Sequence, residues 1–158
     1  MADRTTNTLY ESKGMDRLAV PAANSVALPV GTLVQIESGF ANHYDGTNPL
    51  IGIVLGGENL STAGVPTGDT SLTPDAAVYV DASGPVITGI PVASSTVIGV
   101  PVYCDDSDLA NATVTQPGTD APIGYIVGWR SASDVDVKLF APDVHVLGSD
   151  AASFAAWV

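Results

Sequence analysis

The chain has 158 residues, 46% of them hydrophobic and only 14% charged, with five Lys+Arg against 17 Asp+Glu for a formal charge of −12. That length fits one domain able to bury a core without cross-links, and the hydrophobic content excludes wholesale disorder. The shortage of cations excludes direct binding to nucleic acid or an anionic membrane, which needs a basic patch.

Residues 1–14 open the chain with a segment that is polar apart from Leu9 and Tyr10. It lacks the apolar run of a signal peptide and reads as an extended arm without a core of its own. Arg4 and Lys13 lie in it, Arg17 follows directly, and no further Lys or Arg occurs until Arg130. From there 20 Val, 8 Ile and 14 Thr against 11 Leu favour strands, because β-branched side chains lose rotamer freedom in helices and pack well on pleated sheets. Sixteen Gly and 11 Pro cut the chain into short pieces. Strands are expected at 32–37, 50–55, 77–81, 86–92, 100–104, 112–115, 123–129, 135–140 and 144–147. Short strands with frequent turn signals read as an all-β sandwich or a small β-barrel.

Two patterns say which faces are buried. The run Leu50-Ile51-Gly52-Ile53-Val54-Leu55 is apolar throughout and should be covered on both sides. Gly52 within it signals a bulge or a close backbone approach. In contrast, Val135, Val137 and Leu139 alternate with Asp136 and Lys138, so that strand has one core face and one wet face. Residues 56–74 read as a long polar surface loop within a single β domain spanning 15–147. Residues 148–158 form a short tail in which Phe154, Trp157 and Val158 require apolar cover, either from the chain's own core or from a neighbouring chain. No stretch approaches the roughly 18 apolar residues of a membrane helix.

The sequence also echoes itself. Val30-Gly31-Thr32-Leu33-Val34 parallels Ile98-Gly99-Val100-Pro101-Val102, and Ile51-Gly52-Ile53-Val54-Leu55-Gly56 parallels Ile123-Gly124-Tyr125-Ile126-Val127-Gly128. The spacing from Gly31 to Gly52 is 21 residues and from Gly99 to Gly124 is 25. This predicts two pseudo-repeated β-units sharing one core.

Reactive groups are few. With one cysteine, Cys104, no disulfide can form within the chain, and the two histidines are His43 and His145. His43 sits in a turn-like Asn-His-Tyr-Asp-Gly string, and His145 alternates onto the solvent side of its strand. Neither a Gly-x-Ser-x-Gly elbow nor a His-Glu-x-x-His pair is present. Asp105-Asp106-Ser107-Asp108 lacks the Gly and Glu of a calcium loop and reads as a solvated turn. The expectation is a protein that is not an enzyme, with no cofactor and no metal site.

The order of motifs carries a resemblance. Gly-x-x-Arg-Leu-x-Val-Pro-Ala from residue 14 precedes Val-x-Leu-Pro-Val-Gly-Thr-Leu-Val. Then come Ile98-Gly99-Val100-Pro101-Val102-Tyr103-Cys104-Asp105-Asp106, Pro122-Ile123-Gly124-Tyr125-Ile126-Val127, and Asp134-Val135-Asp136-Val137-Lys138-Leu139-Phe140. From residue 14 to 140 this resembles a family of small tailed-phage head proteins encoded near the major capsid protein. The resemblance implies a capsid decoration (cement) protein of β-tulip-like form, located on the outer face of the virion's capsid. It would be a homotrimer that binds the major capsid protein and clamps neighbouring subunits. Under that expectation the capsid or subunit contacts are Arg4, Leu9, Tyr10 and Lys13 in the arm and Phe154 and Trp157 in the tail. The 56–74 loop and the apolar tail depart from the compact family pattern. Two rivals remain: a carbohydrate- or receptor-binding β domain using Trp129, Tyr44 and Tyr103, and a small aspartate hydrolase.

Overall fold

A computed structural model of the chain describes residues 12–13, 17–68, 77–92, 97–131 and 133–142. Its strands are β1 Ser12–Lys13, β2 Arg17–Pro21, β3 Leu33–Glu37, β4 Phe40–His43 and β5 Leu50–Gly57, followed by β6 Ala77–Asp81, β7 Val86–Pro91, β8 Pro101–Val102, β9 Gly124–Trp129 and β10 Asp134–Leu139. A 3₁₀ turn at Leu109–Asn111 completes the named elements, so the chain is nearly all-β. The N-sheet runs β2-β6-β5-β3-β4 and the C-sheet runs β1-β7-β10-β9-β8. All strand pairings are antiparallel.

The sheets enclose a shared core. Leu33, Tyr44, Leu50 and Ile53 from the N-sheet side meet Ile87, Ile90, Ile126, Val135, Val137 and Leu139 from the C-sheet. The barrel alternative is corrected: neither sheet closes. The C-sheet ends on β1 and β8, each two residues long, too short to carry a ladder round to its neighbour. The sheets are joined instead by a bridge between Thr32 and Asp108 and by the Leu33 amide donating to the Ser107 carbonyl at 2.9 Å.

A second core lies on the far side of the N-sheet. Val34, Val54, Val78 and Val80 project there and are covered by Ala22 and Leu28 from the segment before β3. The expected two-sided burial of residues 50–55 is therefore met, since Ile53 belongs to one core and Val54 to the other. The described part of the 56–74 loop is also less external than expected. Residues 60–64 are exposed, but Pro66 and Gly68 are buried. Leu28 donates to the Pro66 carbonyl at 2.7 Å, Gly68 to Val26 at 2.9 Å, and Ser25 to Gly68 at 2.8 Å. The loop returns to lie on the 22–30 segment, because that segment's backbone groups need partners.

Two expected strands change, and the first, at 100–104, shortens to β8, Pro101–Val102. Residues 112–115 make one bridge, with Tyr103 and Thr113 exchanging amide bonds at 2.8 and 2.9 Å. The Thr113 hydroxyl then accepts from the Thr115 amide and turns the chain away. Strands β1, β2 and β4 were not expected: β1 falls within the segment read as an extended arm, and β2 is largely exposed and carries no alternating core signal. The expected strand at 144–147 lies outside the described residues.

Pairing within the two sheets follows one pattern. Val34 sits opposite Gly52 and Leu33 opposite Ile53, as Val102 sits opposite Gly124 and Pro101 opposite Tyr125. Gly31 donates to the Val54 carbonyl at 2.9 Å, and Gly99 donates to Ile126 at 2.8 Å. The register slips between Val54 and Gly56 against β6, and likewise between Ile126 and Gly128 against β10. A Cβ on Gly52 would lie 2.1 Å from the Asp81 carbonyl oxygen, and one on Gly124 would lie 2.2 Å from that of Lys138. Only glycine permits these close approaches.

Candidate functional site

Alternation along β10 aims Val135, Val137 and Leu139 into the shared core and Asp134, Asp136 and Lys138 outward. Cross-strand register then builds a row over the outer face of the C-sheet. Val86 pairs with Lys138, Lys138 with Tyr125, and Tyr125 with Pro101. Directly opposed residues share a face, so this row is apolar and aromatic around one ammonium. Lys13 holds the next register position, opposite Val86 on β1.

Beside the row lies a cleft of about 300 Å³ lined by Ser83, Gly84, Tyr125, Lys138, Leu139, Phe140 and Ala141. The Tyr125 and Phe140 rings lie 5.9 Å apart at 40°, a tilted aromatic pair. The Lys138 ammonium donates to the Gly84 carbonyl. That fixes the cation at the cleft wall with donors left over, since an ammonium has three. Gly84 has φ of +67°, and a Cβ there would lie 2.7 Å from the Leu139 carbonyl oxygen, so the turn before β7 can hug the end of β10. One row further, Arg130 Nε contacts Asp136 Oδ1 at 3.3 Å, and the Gly89 amide donates to the same oxygen. Trp129, 55% exposed, stands at the rim opposite Val135, and Val97 and Ile98 are exposed in the turn before Gly99.

Of the sequence-predicted contact residues, Lys13 alone is among the described residues. Arg4, Leu9, Tyr10, Phe154 and Trp157 lie outside the described residues, as does His145. Lys13 lies on β1, paired to the C-sheet edge. Arg17 stacks over the Tyr79 ring, its guanidinium carbon 3.6 Å from the ring centre, a cation–π contact on the N-sheet. The three aromatics offered for sugar binding do not converge: Tyr44 is fully buried in the shared core, while Trp129 stands exposed at the rim. Tyr125, Lys138 and Phe140 were missed as a group because cross-strand register, not sequence spacing, brings them together.

The reactive groups have structural partners. His43 is not a turn residue; it ends β4, with Nε2 2.8 Å from the Ala27 carbonyl and Nδ1 2.8 Å from Ser107 Oγ. A carbonyl only accepts, so Nε2 carries a proton, and in the neutral ring the Ser107 hydroxyl donates to Nδ1. The serine–histidine contact has the spacing of a nucleophile and its base, yet Ser107 is fully buried. It ties the 22–30 segment, β4 and the 105–108 turn together. That turn is not the solvated one expected. Asp106 is 4% exposed and accepts from the Asp108 amide at 2.8 Å and the Asn111 side chain at 2.7 Å. Asp108 caps the 3₁₀ turn by accepting from the Ala110 amide. Cys104 points its thiol at Asp106 Oδ1 and the Asp108 carbonyl. Burial pushes that thiol far above its usual range, and the Asp106 charge adds to the shift. Such a thiol is a core packing group.

A second charged region lies where the 44–48 loop meets Asp120. Asp120 has its carboxyl raised by partial burial and by Asp105 and Asp45. At Asp45 burial opposes ionisation, but bonds from the Thr47 hydroxyl and amide outweigh it and lower the carboxyl. Among the described residues no three His, Cys, Asp or Glu side chains gather as metal ligands. No described helix is long and apolar enough to cross a membrane.

Compared with known protein families, curated proteins and solved structures, the chain matches none.

Proposed function

We propose that this protein is a structural virion component: a capsid decoration protein that sits on the outer face of a phage shell as a homotrimer and clamps major capsid protein subunits. The motif order from residue 14 to 140 supports this reading. The observation that carries it is the placement of β1: Ser12–Lys13 pair with the edge of the C-sheet, antiparallel to β7. Residues 1–11 therefore join the body at a sheet edge, where an extended segment can add main-chain hydrogen bonds to a partner. Arg4 and Lys13 balance Asp3 and Glu11, so this arm is neutral beside a body that carries the chain's −12. Such asymmetry makes the arm the part least repelled by an acidic surface. Arg4, Leu9, Tyr10 and Lys13 are the proposed contacts to the shell.

We infer further that the units β2-β6-β5-β3 and β7-β10-β9-β8 are pseudo-repeats, the basis of a tulip-like form. Their matched pairings, matched register slips and matched close-approach glycines support this. A rigid duplicated β scaffold suits a protein that works through contact area.

Co-sedimentation with expanded capsids of the encoding phage tests the proposal. The full chain is expected to pellet with shells, and deletion of residues 1–11 to weaken binding at least tenfold. Absence of pelleting by the full chain at saturating concentration overturns the reading.

A further inference from the structure

We propose that residues 143–158 fold back over the outer face of the C-sheet of their own chain, seating Phe154 and Trp157 on the surface made by Tyr125, Phe140 and Val86. The first argument is the treatment of the other sheet, whose outer face is covered by the chain's own 22–30 segment to form a second core. The C-sheet's outer face carries the Val86–Lys138–Tyr125–Pro101 row and the adjoining cleft, and no described segment forms a core against it.

The second argument is where the chain leaves the body. Ala141 lines the cleft, and the described residues stop at Pro142. The remaining residues, 143–158, reach about 50 Å when extended, against about 20 Å across five strands. A segment tethered at the lip of the cleft meets it at high effective concentration.

Complementary chemistry is the third argument. The segment has Asp143 and Asp150 and no Lys or Arg, with Phe154 and Trp157 as its aromatics. On the face it meets Asp136 is paired with Arg130, which leaves the Lys138 ammonium at the cleft wall as the cation available to the segment's carboxylates. The contact is independent of capsid binding. It removes Phe154 and Trp157 from the surface offered to a shell and gives them an intramolecular partner.

Trp157 fluorescence in a Trp129→Phe background tests this, because the exposed Trp129 is the other tryptophan. Acrylamide should quench Trp157 several-fold less in the folded protein than in denaturant, at every protein concentration. Tyr125→Lys, and separately Val86→Lys, should restore free quenching while the far-ultraviolet spectrum stays unchanged. Trp157 quenched as readily when folded as when unfolded overturns the proposal. So does shielding that survives both substitutions, which places the tail elsewhere, or shielding lost on dilution, which gives the tail to a second copy.

Discussion

The two sheets differ in what their outer faces carry. The N-sheet's far side is apolar and buried, with Val34, Val54, Val78 and Val80 under Ala22 and Leu28. At the positions that pair alike in the C-sheet, Val102, Ile126, Val137 and Val135 instead face the shared core. The partners of Leu33 and Ile53, inward in the N-sheet, are Pro101 and Tyr125, outward in the C-sheet. The two sheets are thus stacked in the same sense, front to back. Such stacking leaves one unlike face at each end: the N-sheet end is covered by the 22–30 segment, and the C-sheet end presents Tyr125 and Lys138.

The strongest way to break this comparison is at the paired glycines. If Gly52 and Gly124 do the same job, Gly52→Ala and Gly124→Ala should each destabilise by about 2–4 kcal/mol, because the added methyl meets a backbone carbonyl that cannot move aside. Chemical denaturation measures both. A loss at one site with near-neutrality at the other would mean that only one sheet depends on the close approach.

Next in size is the cover itself. Leu28 is fully buried against the N-sheet's valines, so Leu28→Ala should cost about 2–4 kcal/mol. The same measurement on Leu60→Ala, at an exposed loop position, should move stability by no more than about 0.5 kcal/mol. Equal effects would show that the cover contributes no core of its own.

Much of this arrangement was legible in the sequence. The uninterrupted apolar run at 50–55 announced a strand buried on two sides, and the Asp-Val-Asp-Val-Lys-Leu alternation announced one buried on one side. What the sequence hid was set by long-range partners. His43 meets Ser107 across 64 residues, a separation for which no local signal exists. The 105–108 aspartates looked solvated because charge usually is, yet Asp106 is satisfied by an amide and by Asn111 inside the turn. Strand β2 was illegible because its exposed residues are held by pairing with β6 rather than by burial.

The smallest effect sharpens the comparison at the acidic end, where two neighbouring carboxylates carry opposite shifts. Asp120 is raised from an ordinary value of 3.8, so the folded state holds its proton more tightly than the unfolded chain. Its favourable contribution is complete below the unfolded value and is lost as pH rises through the folded one. Asp45 is lowered from 3.8, so its contribution is present above the unfolded value and is lost as pH falls through the folded one. Asp120→Asn should therefore raise stability at pH 7 and change nothing once both states are protonated, whereas Asp45→Asn should lower stability at pH 7 and lose its effect in acid. Both sites are solvated enough that screening holds each change to about 0.5 kcal/mol or less. Thermal melts from pH 2.5 to 7 read the two slopes. Slopes of the same sign would show that burial with the Asp105 and Asp45 charges does not raise Asp120, or that the Thr47 bonds do not lower Asp45.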